Sequence, residues 1–436
     1  MTHDPSEAGI PPGQAIFLPA FQLPVTGNIS DPRARAMFPG SKELNWFRPD
    51  NEHWKYCAGL YSLGQSSLDL DDPAEAMFTQ RDRDRTLLIA DSGGYQLGKN
   101  SFKQVKGRMS LEFLRDPQYD EIRQKVLTWM ETYADYGLII DFPAWAIGKK
   151  SFIFTRYEDC LFETVRNMEF FRDRLTGNSP LKLLSVIQGR SIHEALAWYH
   201  RVKNVERFPY NGWSFAGPVS GDPTITLMLI LMLIKEGRLN ETENWIHMLG
   251  KGSLNAIFVY NVFQECLDEF VNKGIRISYD MSSPFKLAKH GKMYTHMKSN
   301  DRGYAMQEMK WSKDIKSFKK IDRKKWCVWE SPFDADLDNA GEVYRAENKH
   351  GLDTKSYAFL GYRNINIYCQ AMNAITLQTK SLAEPENERQ FPDLQVRFRR
   401  DVRSAFAKAA LGQLTETDIL YLNLSQDYPE LISRSR

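Results

Sequence analysis

The sequence predicts an α/β protein built as a (β/α)8 TIM barrel with insertions around a single catalytic domain, and three observations predict it. Short apolar runs alternate with longer stretches of helical character, an order that implies parallel strand pairing. Each apolar run stops at a polar or glycine-rich cluster, so reactive groups gather at the carboxyl ends of the strands, where barrels keep their sites. The length of 436 residues suits one large barrel carrying insertions. A doubly wound sheet shares the alternation, but six loaded strand ends exceed what one switch-point crevice uses.

Taken in chain order, Leu87-Leu88-Ile89-Ala90 runs into Asp91-Ser92-Gly93-Gly94-Tyr95-Gln96. Leu138-Ile139-Ile140 ends in Asp141, and Leu183-Leu184-Ser185-Val186-Ile187 ends in Gln188-Gly189-Arg190. Trp213-Ser214-Phe215-Ala216 ends in Gly217-Pro218, Ile246-His247-Met248-Leu249 in Gly250-Lys251-Gly252, and Ile275-Arg276-Ile277-Ser278-Tyr279 in Asp280. Helical stretches fall between them at 121–133, 158–175, 192–202, 224–235 and 256–272. The longest apolar run, 227–234, is too short to span a bilayer and reads as a buried barrel helix. Residues 1–14 read as a flexible N-terminus, 15–380 as the barrel with a basic insertion near 300–350, and 381–436 as a C-terminal helical extension.

Cys57, Cys160, Cys266, Cys327 and Cys369 share no metal-ligand or redox spacing, which suits reduced thiols in a cytoplasmic protein. No charged-then-apolar N-terminal segment is present, so neither secretion nor a membrane partner is expected. The net charge of +2 announces no polyanionic partner, but the local distribution is uneven. Between 310 and 325 stand Lys310, Lys313, Lys316, Lys319, Lys320, Arg323, Lys324 and Lys325, with Trp311, Phe318 and Trp326 interleaved. Lys286, Lys289, His290 and Lys292 follow Asp280, and Arg397, Arg399, Arg400 and Arg403 cluster downstream. Such runs are either solvated faces or sites for a phosphate backbone; interleaved aromatics beside a reactive strand end suit the second.

Asp91 and Asp280 are expected at one barrel mouth, where two carboxylates can divide labour between nucleophile and general acid/base at a sugar anomeric carbon. Asp141, Gln188 and the backbone at Ala216-Gly217 could read the hydrogen-bonding edge of a purine-like ring, with Tyr95 stacked on its face. The plainer alternative is that Asp141 caps a helix and Gln188 satisfies a loop.

These segments, in this order, resemble the tRNA-guanine transglycosylases, zinc-containing (β/α)8 barrels that exchange guanine in nucleic acid for a 7-deazaguanine. Asp91 to Gln96 is similar to the family's DSGG[FY]Q segment, Val186-Ile187-Gln188-Gly189 to IVQGG, and Ala216 to Asp222 to a diverged GGLxVGE. His247 to Gly252 is similar to YLMGVG, and Tyr279 to Pro284 resembles the nucleophile segment FDCVLP. The resemblance implies Asp280 as nucleophile and Asp91 as general acid/base. It implies base-binding places at Ser92, Tyr95, Asp141, Gln188, Gly217, Pro218 and Leu249, and phosphate-binding places at Lys286 and Lys289.

Two departures shape the expectation. The family's zinc site needs three cysteines and a histidine, and only Cys327 and His350 stand in that region, so no metal and no other cofactor is expected. Asp222 and Pro218 stand where the family has glutamate and leucine, altering the wall that reads the 7-substituent. A zinc-less relative resembles the DNA-modifying branch found in phages and bacterial gene clusters. DNA is therefore favoured over tRNA as partner, with a free 7-deazaguanine base as co-substrate, in the host cytoplasm if phage-encoded. A zinc-less tRNA enzyme, a non-catalytic partner subunit and a glycoside-processing barrel stay open, as does the oligomeric state.

Overall fold

The computed structural model describes residues 13–21, 45–48, 51, 54, 56–71, 73, 76–300, 303–310, 329–334, 354–420 and 422–431. Eight parallel strands close into a barrel in sequence order: β1 (Ile16–Phe21), β2 (Ala58–Ser62), β3 (Leu87–Asp91), β4 (Tyr136–Leu138), β5 (Lys182–Ile187), β6 (Tyr210–Ala216), β7 (Trp245–Leu249) and β8 (Arg276–Met281). The seam is closed by β1 against β8, with Ile16 opposite Ser278 and Leu18 opposite Asp280. The strands are buried along most of their length because one face meets the barrel interior and the other meets helices. That double burial is why they appear in the sequence as apolar runs rather than as a two-residue alternation.

Six strand ends were legible from the sequence; β1 and β2 were not singled out. Strand β4 is shorter than its apolar run, so Ile139 to Asp141 continue beyond its regular end. Helices α1 (Gly94–Gly98), α2 (Pro117–Tyr133), α3 (Tyr157–Arg174), α4 (Ile192–Val202), α5 (Pro218–Gly221), α6 (Pro223–Lys235), α7 (Leu254–Phe270) and α8 (Ser283–Lys289) follow or separate the strands. An antiparallel hairpin, β9 (Lys292–Asn300) and β10 (Gly303–Lys310), leads away from α8 into the stretch expected to hold the basic insertion. The lysine-rich residues 311–325, Cys327 and His350 lie outside the described residues. Residues 1–12, read as a flexible N-terminus, lie outside them too.

Helix α6 carries apolar residues all round and is buried from Pro223 to Leu233. An all-apolar helix needs cover on its outer side as well as its inner one. The C-terminal part of the chain supplies that cover. Helix α9 (Thr354–Leu382) packs on α7 and α8, while α10 (Asp393–Ala410) packs on α6 and α7. The expected boundary at 380/381 therefore falls within the last turn of α9, and the C-terminal helices are part of the barrel's outer layer.

The arginine cluster of α10 serves that packing. Arg399 and Arg403 both pair with Glu265 of α7, and Arg403 also pairs with Glu269. Arg397 pairs with Asp393 at 2.7 Å and Arg400 approaches Glu388 at 3.8 Å. A cluster that suited phosphates in sequence is thus engaged with the protein's own carboxylates.

Candidate active site

At the carboxyl ends of the strands opens a cavity of about 1200 Å³. That volume is above the usual range for small-molecule sites, with room for a nucleoside. Its wall includes Asp91, Tyr95, Asp141, Gln188, Gly217, Pro218, Leu249, Asp280 and Lys286. Residues far apart in sequence meet there because they stand at or shortly beyond the carboxyl ends of different strands. Two of the expected residues stay outside the wall. Ser92 is fully buried and donates its hydroxyl to Ile139 O at 3.0 Å, tying the end of β3 to the segment that carries Asp141. Lys289 sits at the far end of α8, exposed and beyond the cavity.

Asp91 ends β3 and is turned inward by the following glycines. Gly93 has φ +80°, a left-handed conformation that glycine adopts without penalty. A Cβ at Gly94 would lie 1.8 Å from the carbonyl oxygen of Asp141, so the start of α1 can rest on that backbone only without a side chain. The glycine pair therefore makes room for the protein's own chain, and locks the Asp91 segment to the Asp141 segment. Burial raises the Asp91 carboxyl above its ordinary range, and the charge of Asp280 adds to the rise. The Ser62 hydroxyl and the Gly93 N–H pull it partly back. Ser62, at the end of β2, accepts from Gln96 Nε2 at 3.2 Å.

Asp141 is 4% exposed, and burial pushes its carboxyl up to about 7. Gln188 donates from Nε2 to Asp141 Oδ2, while the amide oxygen of Gln188 is buried with no partner. The pair thus offers a carboxylate and an unsatisfied carbonyl side by side, two acceptors matched to adjacent N–H groups of a planar ligand. Neither plainer alternative holds, since Asp141 is no helix cap and Gln188 faces the cavity.

Asp280 lies within β8, 6% exposed, and accepts the Gly250 N–H at Oδ1. Its other near neighbour is His247 Nε2, 3.3 Å from Oδ1. Asp91 feels the charge of Asp280, and Asp141 feels that of Asp91, so the three carboxylates lie within electrostatic reach of one another. Among the described residues no lysine or arginine forms an ion pair with any of them.

On the β6 side, Gly217 has φ +64° and ψ −131°, a region open essentially to glycine. A Cβ there would meet Trp145 Cδ1 at 2.5 Å. Trp145 is stacked on Tyr95, with ring centroids 5.2 Å apart and planes at 25°. Lys149 lies 3.9 Å over the Trp145 ring, and Lys99 lies 5.7 Å from the Tyr95 centroid. Trp145, Lys149 and Lys251 line the cavity and were missed in the sequence. The available signal was a tryptophan four residues after Asp141 followed by Gly148-Lys149-Lys150. Lys251 is half-buried beside Gly221, and burial lowers its pKa. Asp222, on the cavity wall, caps α6 by accepting from Thr224 N at 2.8 Å and Ile225 N at 3.3 Å.

Cys57, Cys160, Cys266 and Cys369 are free thiols, and among the described residues no group of three His, Cys, Asp or Glu side chains is arranged to hold a metal ion. Among the same residues no helix is long and apolar enough to cross a membrane. No protein-family model matches the chain, and no curated protein matches it.

Proposed function

We propose that this barrel is a base-exchange transglycosylase that replaces guanine in DNA with a 7-deazaguanine derivative through a covalent Asp280 glycosyl-enzyme. The observation that carries the reading is the gathering of Asp91 and Asp280 in one cavity beside the Asp141–Gln188 acceptor pair. Two carboxylates suit displacement at an anomeric carbon, and a second acceptor pair for a planar N–H edge suits a base rather than a sugar.

In this mechanism Asp280 attacks the anomeric carbon while guanine departs and takes a proton from Asp91. The raised affinity of Asp91 for its proton, caused mainly by burial, suits that acid role. A free 7-deazaguanine then enters, loses its N9 proton to Asp91 and displaces Asp280, with overall retention and ping-pong kinetics. Asp141 and Gln188 hold the base edge, Gly217, Pro218 and Leu249 line its wall, and Tyr95 with Trp145 forms an aromatic platform beside it. Lys149 and Lys286 at the cavity wall, with exposed Lys99 nearby, supply positive charge for flanking phosphates.

Offering the protein labelled guanine with either duplex DNA or tRNA tests the proposal directly. Label entering DNA is the expected result. Label entering tRNA alone moves the same chemistry to the other polymer, and label in neither overturns base exchange.

A further inference from the structure

The barrel interior beneath Asp280 carries a polar chain that the mechanism above does not use. Trp245 and His247 alternate with Ile246 and Met248 along β7, so both project to the same face, and His247 lies opposite Ser278 of β8. Trp245 Nε1 donates to Ser278 Oγ at 2.7 Å, and Ser278 Oγ lies 2.9 Å from His247 Nδ1. His247 and Ser278 are both fully buried. His247 Nε2 has no hydrogen-bond partner, and Asp280 Oδ1 stands 3.3 Å away.

An indole nitrogen can only donate, so Ser278 Oγ accepts from Trp245 and retains one proton of its own to give. Among the described residues the partner in reach for that proton is His247 Nδ1, which must then be bare. The ring proton is left on Nε2, facing the carboxylate. The opposite tautomer would strand the Ser278 proton and turn a nitrogen lone pair toward the Asp280 carboxylate, two penalties for side chains as deeply buried as His247 and Ser278.

We infer that His247 is a positioning residue for Asp280: its Nε2–H, with the Gly250 N–H, engages Oδ1 and leaves Oδ2 as the attacking oxygen. The inference rests on the nucleophile assignment proposed above. Asp280 Oδ2 gives a lone pair to the new bond with the anomeric carbon. The bond from that carbon to N9 breaks, its electron pair leaves with guanine, and the proton of Asp91 goes to the departing base. His247 keeps its own proton throughout. The titratable groups facing it are Asp280 and, at longer range, Asp91.

Ring ¹H–¹⁵N spectra of histidine-labelled protein read the proton position without any substrate, with His247 identified among the 8 histidines by the signals lost in His247→Gln. A proton on Nε2 is expected; a bare Nε2 overturns the inference. The functional arm compares His247→Gln, whose amide keeps a donor near Nε2, with His247→Leu. The rate of protein–DNA adduct formation should stay within about 5-fold of wild type in the first and fall about 50-fold or more in the second, at similar melting temperatures. Equal retention or equal loss in the two variants overturns it. If wild type forms no adduct, the nucleophile assignment falls, and the ring spectrum alone decides where the proton sits.

Discussion

The two ends of the barrel treat buried carboxylates in opposite ways. At the amino ends of the strands, Asp135 is 7% exposed and fully engaged: Arg81 Nη2 lies 2.7 Å from its Oδ2, the Leu88 N–H donates to the same oxygen at 2.8 Å, and Arg83 stands 3.6 Å from Oδ1. Arg81 also donates to Thr86 O, Thr86 Oγ1 and Tyr133 O. At the carboxyl ends, Asp91, Asp141 and Asp280 are held by neutral donors and by one histidine. The first arrangement spends its charges on the fold. The second keeps carboxylates under-compensated at a cost in stability, which is the usual mark of groups reserved for a ligand.

The comparison breaks most visibly at Asp280. Asp280→Asn should lower base exchange by roughly 10³-fold or more, abolish the adduct on denaturing gels and leave the melting temperature unchanged or higher. An adduct at wild-type level would remove Asp280 from the nucleophile's place. Next comes the other end of the barrel. Arg81→Ala leaves Asp135 buried without its main cation and should cost about 3 to 5 kcal/mol in denaturant unfolding, with exchange per folded molecule intact. A variant as stable as wild type would show that the lower pair does not hold the fold.

The third effect, at Asp141, has a definite sign. Its carboxyl stands at about 7 in the folded chain against 3.8 ordinarily, so folding opposes ionisation. The resulting penalty is absent below about pH 4, grows between pH 4 and 7 and is constant above. Asp141→Asn removes it, so the variant should gain stability over wild type as pH rises through that window, while losing affinity for guanine. Melting curves from pH 4 to 8 measure the difference, and a difference independent of pH would mean that Asp141 carries no burial penalty.

Much of the fold was legible because barrel strands are buried on both faces and stand out as short apolar runs with reactive ends. Strands β1 and β2 were harder to see because their ends, at Phe21 and Ser62, carry no charged group to mark them. Asp91, Asp141, Gln188, Gly217 and Asp280 were legible for the same reason as their strands. Ser92, a base-binding place implied by the resemblance, is fully buried, and the packing of β3 on the Ile139 segment shows that its hydroxyl ties the backbone. Trp145 and Lys149 escaped notice because a single 3-10 turn at Ala144–Ala146 and the turn after it are too short to show periodicity. The arginines of α10 looked available because their partners, Glu265 and Glu269, are over a hundred residues away in sequence.

The sequence by itself determined the alternation of elements, the burial of α6 and the residues standing at the strand ends, since each follows from local hydrophobic pattern and chain chemistry. Only the tertiary structure decided which charges are spent. Arg399 and Arg403 became braces, Gly94 became a seat for the Asp141 backbone, and His247 came to face Asp280 across two strands. The physical reason is that pairing and burial depend on distances through space, which ring closure sets and local sequence does not carry.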